Sequence, residues 1–134
     1  MRLTSAAQTD IGLVRSENED RFLCADDLQL YAVADGIGGL PGGAEAAQTA
    51  ISSLIKSARQ AESRALPFDL AQAVGDANEA VLELSARLAP DTGLGTTLCA
   101  ALFRDGKVHI ANVGDSRCYL FRDGRLALLT TDDT

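Results

Sequence analysis

The amino-acid sequence predicts an α+β fold in which helices pack on antiparallel β-sheet. Strand-like runs at both ends of the chain enclose two helical segments, an order unlike the strand–helix alternation of parallel sheets. Two Asp-Gly pairs near the C-terminal end separate strand-like runs in the manner of tight hairpins. The length of 134 residues suits one domain over residues 1–134, with a core of Ala, Leu, Val and Ile because only 4% of residues are aromatic.

The N-terminal strands are predicted from two short apolar runs. Residues 21–25 and 28–34 have the length and composition of strands, and Asp26 and Asp27 supply a polar turn between them. An antiparallel pair is therefore expected, with Asp35 at the end of its second strand.

The middle of the chain predicts two helices. Apolar residues recur at helical spacing over residues 44–58 and, more regularly, over residues 70–88. Pro67 suits the start of the second helix, and Pro90 suits its end. A short polar linker around residues 61–64 is expected between the two helices.

The last third of the chain predicts four strands. Two of the junctions read "RDGK" and "RDGR", and Asp-Gly is the preferred pair for a type I′ turn because both central residues need positive φ. Two antiparallel hairpins are therefore expected. The four strand-like runs cover residues 96–103, 108–113, 117–121 and 126–129.

Composition and charge narrow the function classes. The net charge of -7 leaves no basic stripe for a nucleic-acid backbone, so no nucleic-acid partner is expected. No apolar run approaches the roughly 18 residues of a membrane helix, and no apolar leader is visible, so no membrane contact and a cytoplasmic location are expected. The cysteines lack a C-x-x-C pair and are expected to be reduced and buried in strands: Cys24, Cys99 and Cys118.

Asp35 and the glycines that follow it are candidates for a metal-binding or phosphate-binding site. A carboxylate at the end of a buried strand is costly unless it is paired or bound to a metal, and the Gly36 carbonyl could turn toward the same cation. A simple Asp-Gly turn is the more common explanation for such a pair alone. The glycine-rich segment 36–43 lacks the Gly-Lys-Ser/Thr ending of a P-loop, and Pro41 interrupts a dinucleotide fingerprint, which makes nucleotide binding the weakest alternative.

Other charged residues precede or follow strands. Glu19 and Asp20 lie just before the first strand and could converge with Asp35, while Arg15 offers a planar fork suited to phosphate. Carboxylates for a metal and an arginine for phosphate would suffice for metal-assisted phosphate hydrolysis. Asp115 follows another strand, either in a plain turn or in the same site, and the single His109 is expected to be a structural strand residue.

Three motifs together resemble the bacterial form of the metal-dependent protein serine/threonine phosphatases of type 2C. They read "TDIGLVRSENED" at 9–20, "YAVADGIGG" at 31–39 and "GTTLCAALFRDGKVHIANVGDSRCYLFRDGRLALLT" at 95–130. The resemblance implies an antiparallel β-sandwich with helices outside each sheet, in α-β-β-α layers. It also implies hydrolysis of phosphoserine and phosphothreonine in proteins by a metal-activated water.

The resemblance carries over a metal site. Asp35 matches the residue that bridges two Mn²⁺ or Mg²⁺ ions, and Gly36 the one that offers its carbonyl to one of them. Glu19 matches a ligand of the second ion, directly or through water, and Asp20 a supporting residue. Asp115 matches a ligand of a third, weaker ion.

The phosphate-binding role falls on Arg15 by the same resemblance. Ile37 stands where eukaryotic relatives have a histidine, so the leaving group must be protonated by water or another group. The family's later half, with two further metal-binding aspartates, is missing, and Asp133 replaces a histidine. The chain is therefore expected to be an N-terminal portion of the family domain.

The resemblance also implies partners. A phosphorylated protein substrate, acted on in opposition to a serine/threonine kinase, is expected. Open sheet edges would permit self-association. The alternative is a catalytically inactive module of the same fold that binds a protein or phosphopeptide.

Overall fold

The computed structural model describes residues 2–15, 17–37 and 42–133, and the elements in these ranges follow the predicted order. The helices are α1 (Gly43–Ser63) and α2 (Leu70–Leu88). The strands are β1 (Asp20–Ala25), β2 (Leu30–Ile37), β3 (Gly95–Thr96), β4 (Leu98–Arg104), β5 (Lys107–Val113), β6 (Tyr119–Arg122) and β7 (Arg125–Leu128).

The strands form two antiparallel sheets. The larger sheet has the order β1-β2-β4-β5, and the two-residue strand β3 pairs with the end of β2. Strands β6 and β7 form a separate hairpin. Every described pairing is antiparallel, so the predicted α+β class and the predicted β1–β2 pair are confirmed.

The core lies between the larger sheet and the helices. Alternate residues of β2 point toward α1, and among them Leu30 is completely buried. Leu54 of α1 is also completely buried and belongs to the same core cluster. Both described helices pack on this sheet, so the described residues form the helical layer of one sheet and not the second helical layer that the resemblance implies.

Both Asp-Gly junctions adopt the predicted turn. Asp105 and Gly106 have φ values of 55° and 73°, and Asp123 and Gly124 have φ values of 54° and 75°. Two successive positive φ values are the signature of a type I′ turn, whose twist suits the flanking strands. The two hairpins, β4–β5 and β6–β7, are confirmed.

Several predicted boundaries are wrong. The strand predicted over residues 96–103 is divided at Thr97 into β3 and β4, and the strand predicted from residue 117 begins at Tyr119. The second strand begins at Leu30, because Leu28 and Gln29 complete a turn in which their N–H groups donate to the carbonyls of Ala25 and Asp26. The linker expected at 61–64 is mostly helix, since α1 continues to Ser63. The connection therefore runs through residues 64–69.

The three cysteines differ in their exposure to solvent. The prediction that all three cysteines are buried is wrong for Cys24, which is exposed, whereas Cys99 is buried and Cys118 half-buried. All three are free thiols, and burial raises the pKa of both Cys99 and Cys118.

Neither described helix has the length and apolar character needed to cross a bilayer.

Candidate metal centre

Asp35 lies inside β2, two residues before the strand ends, and not at the strand end as predicted. The strand continues because Gly36 and Ile37 pair with Thr96 and Gly95 of β3. On its other side, Asp35 is the register partner of Asp20, the first residue of β1. The antiparallel register thus brings two carboxylates side by side, which the sequence interpretation expected only as a convergence of strand ends.

The electrostatics of Asp35 reflect this crowding. Burial raises the pKa of the Asp35 carboxyl, and the charge and hydrogen bond of Asp20 raise it further. The positive charge of Arg15 acts in the opposite direction, while Asp115 adds to the increase. Four of the residues singled out from the sequence therefore share one electrostatic environment, in which a cation would relieve the repulsion between carboxylates.

Glu19 is near this pair but turns toward α1. Its backbone carbonyl accepts a hydrogen bond from the Gly36 N–H at 3.0 Å. Its carboxylate rests on Gly43, the first residue of α1, so closely that a Cβ there would lie 2.7 Å from the Glu19 carboxyl carbon. Gly36 is packed still more tightly, because a Cβ on it would lie 2.0 Å from the Gly43 carbonyl oxygen. Residues 38–41 of the glycine-rich segment lie outside the described ranges.

Thr97, which the sequence interpretation passed over, holds Asp35 from the other side. Its hydroxyl oxygen accepts the Asp35 N–H at 2.9 Å, and its own N–H donates to the Asp35 carbonyl at 3.0 Å. The Thr97 hydroxyl also hydrogen-bonds the Ser116 hydroxyl at 2.6 Å. The only sequence signal was a threonine within an apolar run, which is also what an ordinary β-branched strand residue looks like.

Asp115 lies in the turn that follows β5, and its side chain is exposed. The preceding residue, Gly114, has a φ of 98° and packs on the Thr97 methyl group. Ser116, on the other side of Asp115, lines a cavity of about 220 Å³ next to the carboxylate pair, together with Asp20 and Asp35.

The acidic tail and His109 are not among the residues that shift the pKa of the Asp35 carboxyl. Asp132 forms a bidentate ion pair with Arg117, whose Nε and Nη2 donate to the two carboxylate oxygens at 2.9 and 2.7 Å. This pairing lowers the pKa of the Asp132 carboxyl. The Asp133 N–H donates to the Gly114 carbonyl, which ties the tail to the turn after β5. His109 lies in β5 and lines a different cavity, together with Phe68 of the segment before α2.

The donors around Asp35 match the needs of a hard divalent cation in part. In residues 2–15, 17–37 and 42–133, no three Asp, Glu, His or Cys side chains converge closely enough to form a metal site. Two side-chain carboxylates do meet, and the Gly36 carbonyl belongs to the same stretch of β2. Mg²⁺ and similar ions are commonly held by one or two carboxylates, with water completing the shell, so the donors fit such an ion.

Comparison with known proteins agrees with this chemistry. The family model described as "Protein phosphatase 2C" matches residues 14–134. The chain is 40% identical over 133 residues to the serine/threonine protein phosphatase PstP of Mycobacterium tuberculosis, covering 98% of this chain and 25% of that protein. It is 33% identical over 132 residues to the serine/threonine phosphatase stp of Listeria monocytogenes, covering 93% of this chain and 52% of that protein.

Solved structures show the same likeness. A crystal structure of the PstP catalytic domain in complex with two manganese ions matches with a TM-score of 0.82 and 39% identity, covering 96% of this chain and 55% of that one. The phosphatase MsPP of Mycobacterium smegmatis, in complex with cacodylate, matches with a TM-score of 0.79 and 39% identity, covering 93% and 51%. The chain thus spans about half of these structures and a quarter of full-length PstP.

Proposed function

Because the chain belongs to the protein phosphatase 2C family, we propose that it forms the N-terminal part of a metal-dependent protein serine/threonine phosphatase. The proposed reaction is hydrolysis of phosphoserine and phosphothreonine in proteins. The observation that carries the proposal is the apposition of Asp20 and Asp35 across β1 and β2, with Arg15 and Asp115 in the same electrostatic environment.

The proposed cofactor is Mn²⁺ or Mg²⁺. When bound, such ions generate a nucleophile from water near neutral pH and polarise the phosphoryl group. Asp35 would hold the ions together with the Gly36 carbonyl, and Asp20 would support the site. Glu19 would join it through water, because its carboxylate is packed against Gly43.

Two further residues have proposed roles. Arg15 would bind the phosphoryl oxygens of the substrate, for which the planar guanidinium is well suited. Asp115, exposed in the turn after β5, would hold a third ion more weakly, since a single exposed carboxylate leaves most of the coordination to water.

The biological setting is proposed from the same family membership. Phosphorylated proteins are the proposed substrates, with a serine/threonine kinase acting in the opposite direction in the cytoplasm. Self-association through the outer edges of β1 and β5 is a further proposal, because unpaired strand edges are templates for pairing. No observation on the described residues favours an inactive phosphopeptide-binding module or a nucleotide-binding protein.

The decisive experiment is the substitution Asp35→Asn, assayed for Mn²⁺ binding by calorimetry and for hydrolysis of a phosphothreonine peptide. We expect Mn²⁺ affinity to fall by at least about tenfold, because a charged ligand is lost. Any hydrolysis should fall with it. Asn keeps the size of Asp, so the thermal unfolding midpoint should not decrease.

The matched control is Asp105→Asn, in the turn between β4 and β5. This turn is at the end of the hairpin away from Thr97 and Asp115. The substitution removes the same charge from an exposed turn in which Asn is equally suited to a positive φ. The control should bind Mn²⁺ like the wild type. Unchanged Mn²⁺ affinity and hydrolysis in Asp35→Asn would contradict the proposed function.

A further inference from the structure

We propose that Thr97 is a positioning residue that couples the Asp35 carboxylate to the turn carrying Asp115. The inference rests on the proposed function, since it concerns the geometry of the same metal site. The hydrogen bonds of Thr97 go to the backbone of Asp35 and not to its carboxylate. Thr97 acts through the backbone of Asp35 on one side and through Ser116 on the other.

The first half of the coupling is a double clamp on Asp35. The Asp35 N–H donates to the Thr97 hydroxyl at 2.9 Å, and the Thr97 N–H donates to the Asp35 carbonyl at 3.0 Å. With both backbone polar groups of Asp35 tied to one residue, the strand segment cannot shift without breaking two hydrogen bonds. The direction in which the Asp35 side chain leaves the strand is therefore set by Thr97.

The second half of the coupling reaches the turn after β5. The Thr97 hydroxyl hydrogen-bonds the Ser116 hydroxyl at 2.6 Å, while its methyl group supports Gly114. These two contacts bracket Asp115 on both sides along the chain. Whichever hydroxyl donates, the bond holds the junction between β3 and β4 next to this turn.

The burial of Thr97 makes this arrangement more than a local strand contact. Thr97 is 2% exposed, and in the described ranges Thr130 is the only other polar or charged residue that is buried. A hydroxyl buried at this depth is costly unless it is hydrogen-bonded, and here it has two partners. Valine has nearly the same shape, but it would leave the Asp35 N–H and the Ser116 hydroxyl without this partner, so the hydroxyl contributes more than packing.

The experiment compares Thr97→Val, which removes the hydroxyl, with Thr97→Ser, which keeps it. We expect Thr97→Val to weaken Mn²⁺ binding by about tenfold, the loss typical of residues that orient metal ligands. Thr97→Ser should restore Mn²⁺ affinity close to the wild type, although it loses the methyl contact with Gly114. Mn²⁺ affinity is measured by calorimetry and stability by thermal unfolding without metal.

Thr130→Val provides the matched control. Thr130 is also buried, and its hydroxyl accepts a backbone N–H, that of Cys118, at 3.1 Å. This control loses a comparable hydrogen bond that involves neither Asp35 nor Ser116, so it should lower the unfolding midpoint without weakening Mn²⁺ binding. Equal Mn²⁺ affinity in Thr97→Val and Thr130→Val would overturn the inference.

Two further outcomes separate the inference from the proposed function. If Asp35→Asn loses Mn²⁺ binding but Thr97→Val does not, the inference is wrong and the proposed function stands. If Asp35→Asn binds Mn²⁺ as well as the wild type, both are overturned. Should Thr97→Val fail to fold, Ser116→Ala removes the other half of the same bond, and wild-type Mn²⁺ affinity in that variant would also overturn the inference.

Discussion

The two ends of the β4–β5 hairpin are built in different ways. At the turn between the strands, Gly106 has a φ of 73°, and a Cβ on it would meet nothing within 4 Å. At the other end, Gly114 has a φ of 98°, and a Cβ on it would lie 2.7 Å from the Thr97 methyl carbon. The first end is specified by local turn geometry alone, whereas the second also depends on close packing between distant parts of the chain.

The same contrast extends to the neighbouring strand. Gly36 approaches the backbone of Gly43 so closely that a Cβ would lie 2.0 Å from a carbonyl oxygen. Gly95, the register neighbour of Ile37, has open space at its Cα. Two glycines without room for a methyl group, Gly36 and Gly114, thus directly adjoin the carboxylates Asp35 and Asp115 in sequence, where bare backbone permits the close packing.

The largest effect is expected for Gly36→Ala. The new Cβ would collide with backbone and not with a movable side chain, so β2 and α1 must separate. We expect a loss of about 4 kcal/mol or more in the free energy of unfolding, measured by urea denaturation. Gly95→Ala is the control, and a similarly small loss in both variants would remove the contrast between tight and open glycines.

A smaller effect is expected for Gly114→Ala. Alanine must adopt a positive φ and displace the Thr97 methyl group, a combined cost of about 3 kcal/mol in unfolding free energy. Because Thr97 also holds Asp35, Mn²⁺ binding measured by calorimetry should weaken in the same variant. Loss of stability with unchanged Mn²⁺ affinity would show that this end of the hairpin is tight for folding alone.

The smallest effect is expected for Gly106→Ala, in the open turn. Only the positive φ is unfavourable there, which costs roughly 1 to 2 kcal/mol in unfolding free energy. Mn²⁺ affinity should equal that of the wild type, because the turn is at the opposite end of β5 from Asp115. Weaker Mn²⁺ binding in this variant would mean that the two ends are coupled through the hairpin.

Local sequence signals predicted the elements well, because helical periodicity and Asp-Gly turns act over a few residues. They predicted Asp20, Asp35 and Arg15 as candidates but misplaced Asp35, since the two-residue strand β3 that extends β2 lies far along the chain, at Gly95–Thr96. Thr97 was missed because its role depends on partners in two distant segments. The close approach of Gly36 to the Gly43 backbone was also missed, because it depends on how β2 and α1 pack in three dimensions.

The brevity of the connection between β3 and β4 limits how this part of the chain can vary. Thr97 is the single residue between the two strands. Inserting one amino acid beside it would place its hydroxyl on the opposite face relative to one of the two strands, since side-chain direction alternates along extended backbone. Chain length is therefore constrained more strictly at this junction than at the exposed hairpin turns, where an extra residue could loop outward into solvent.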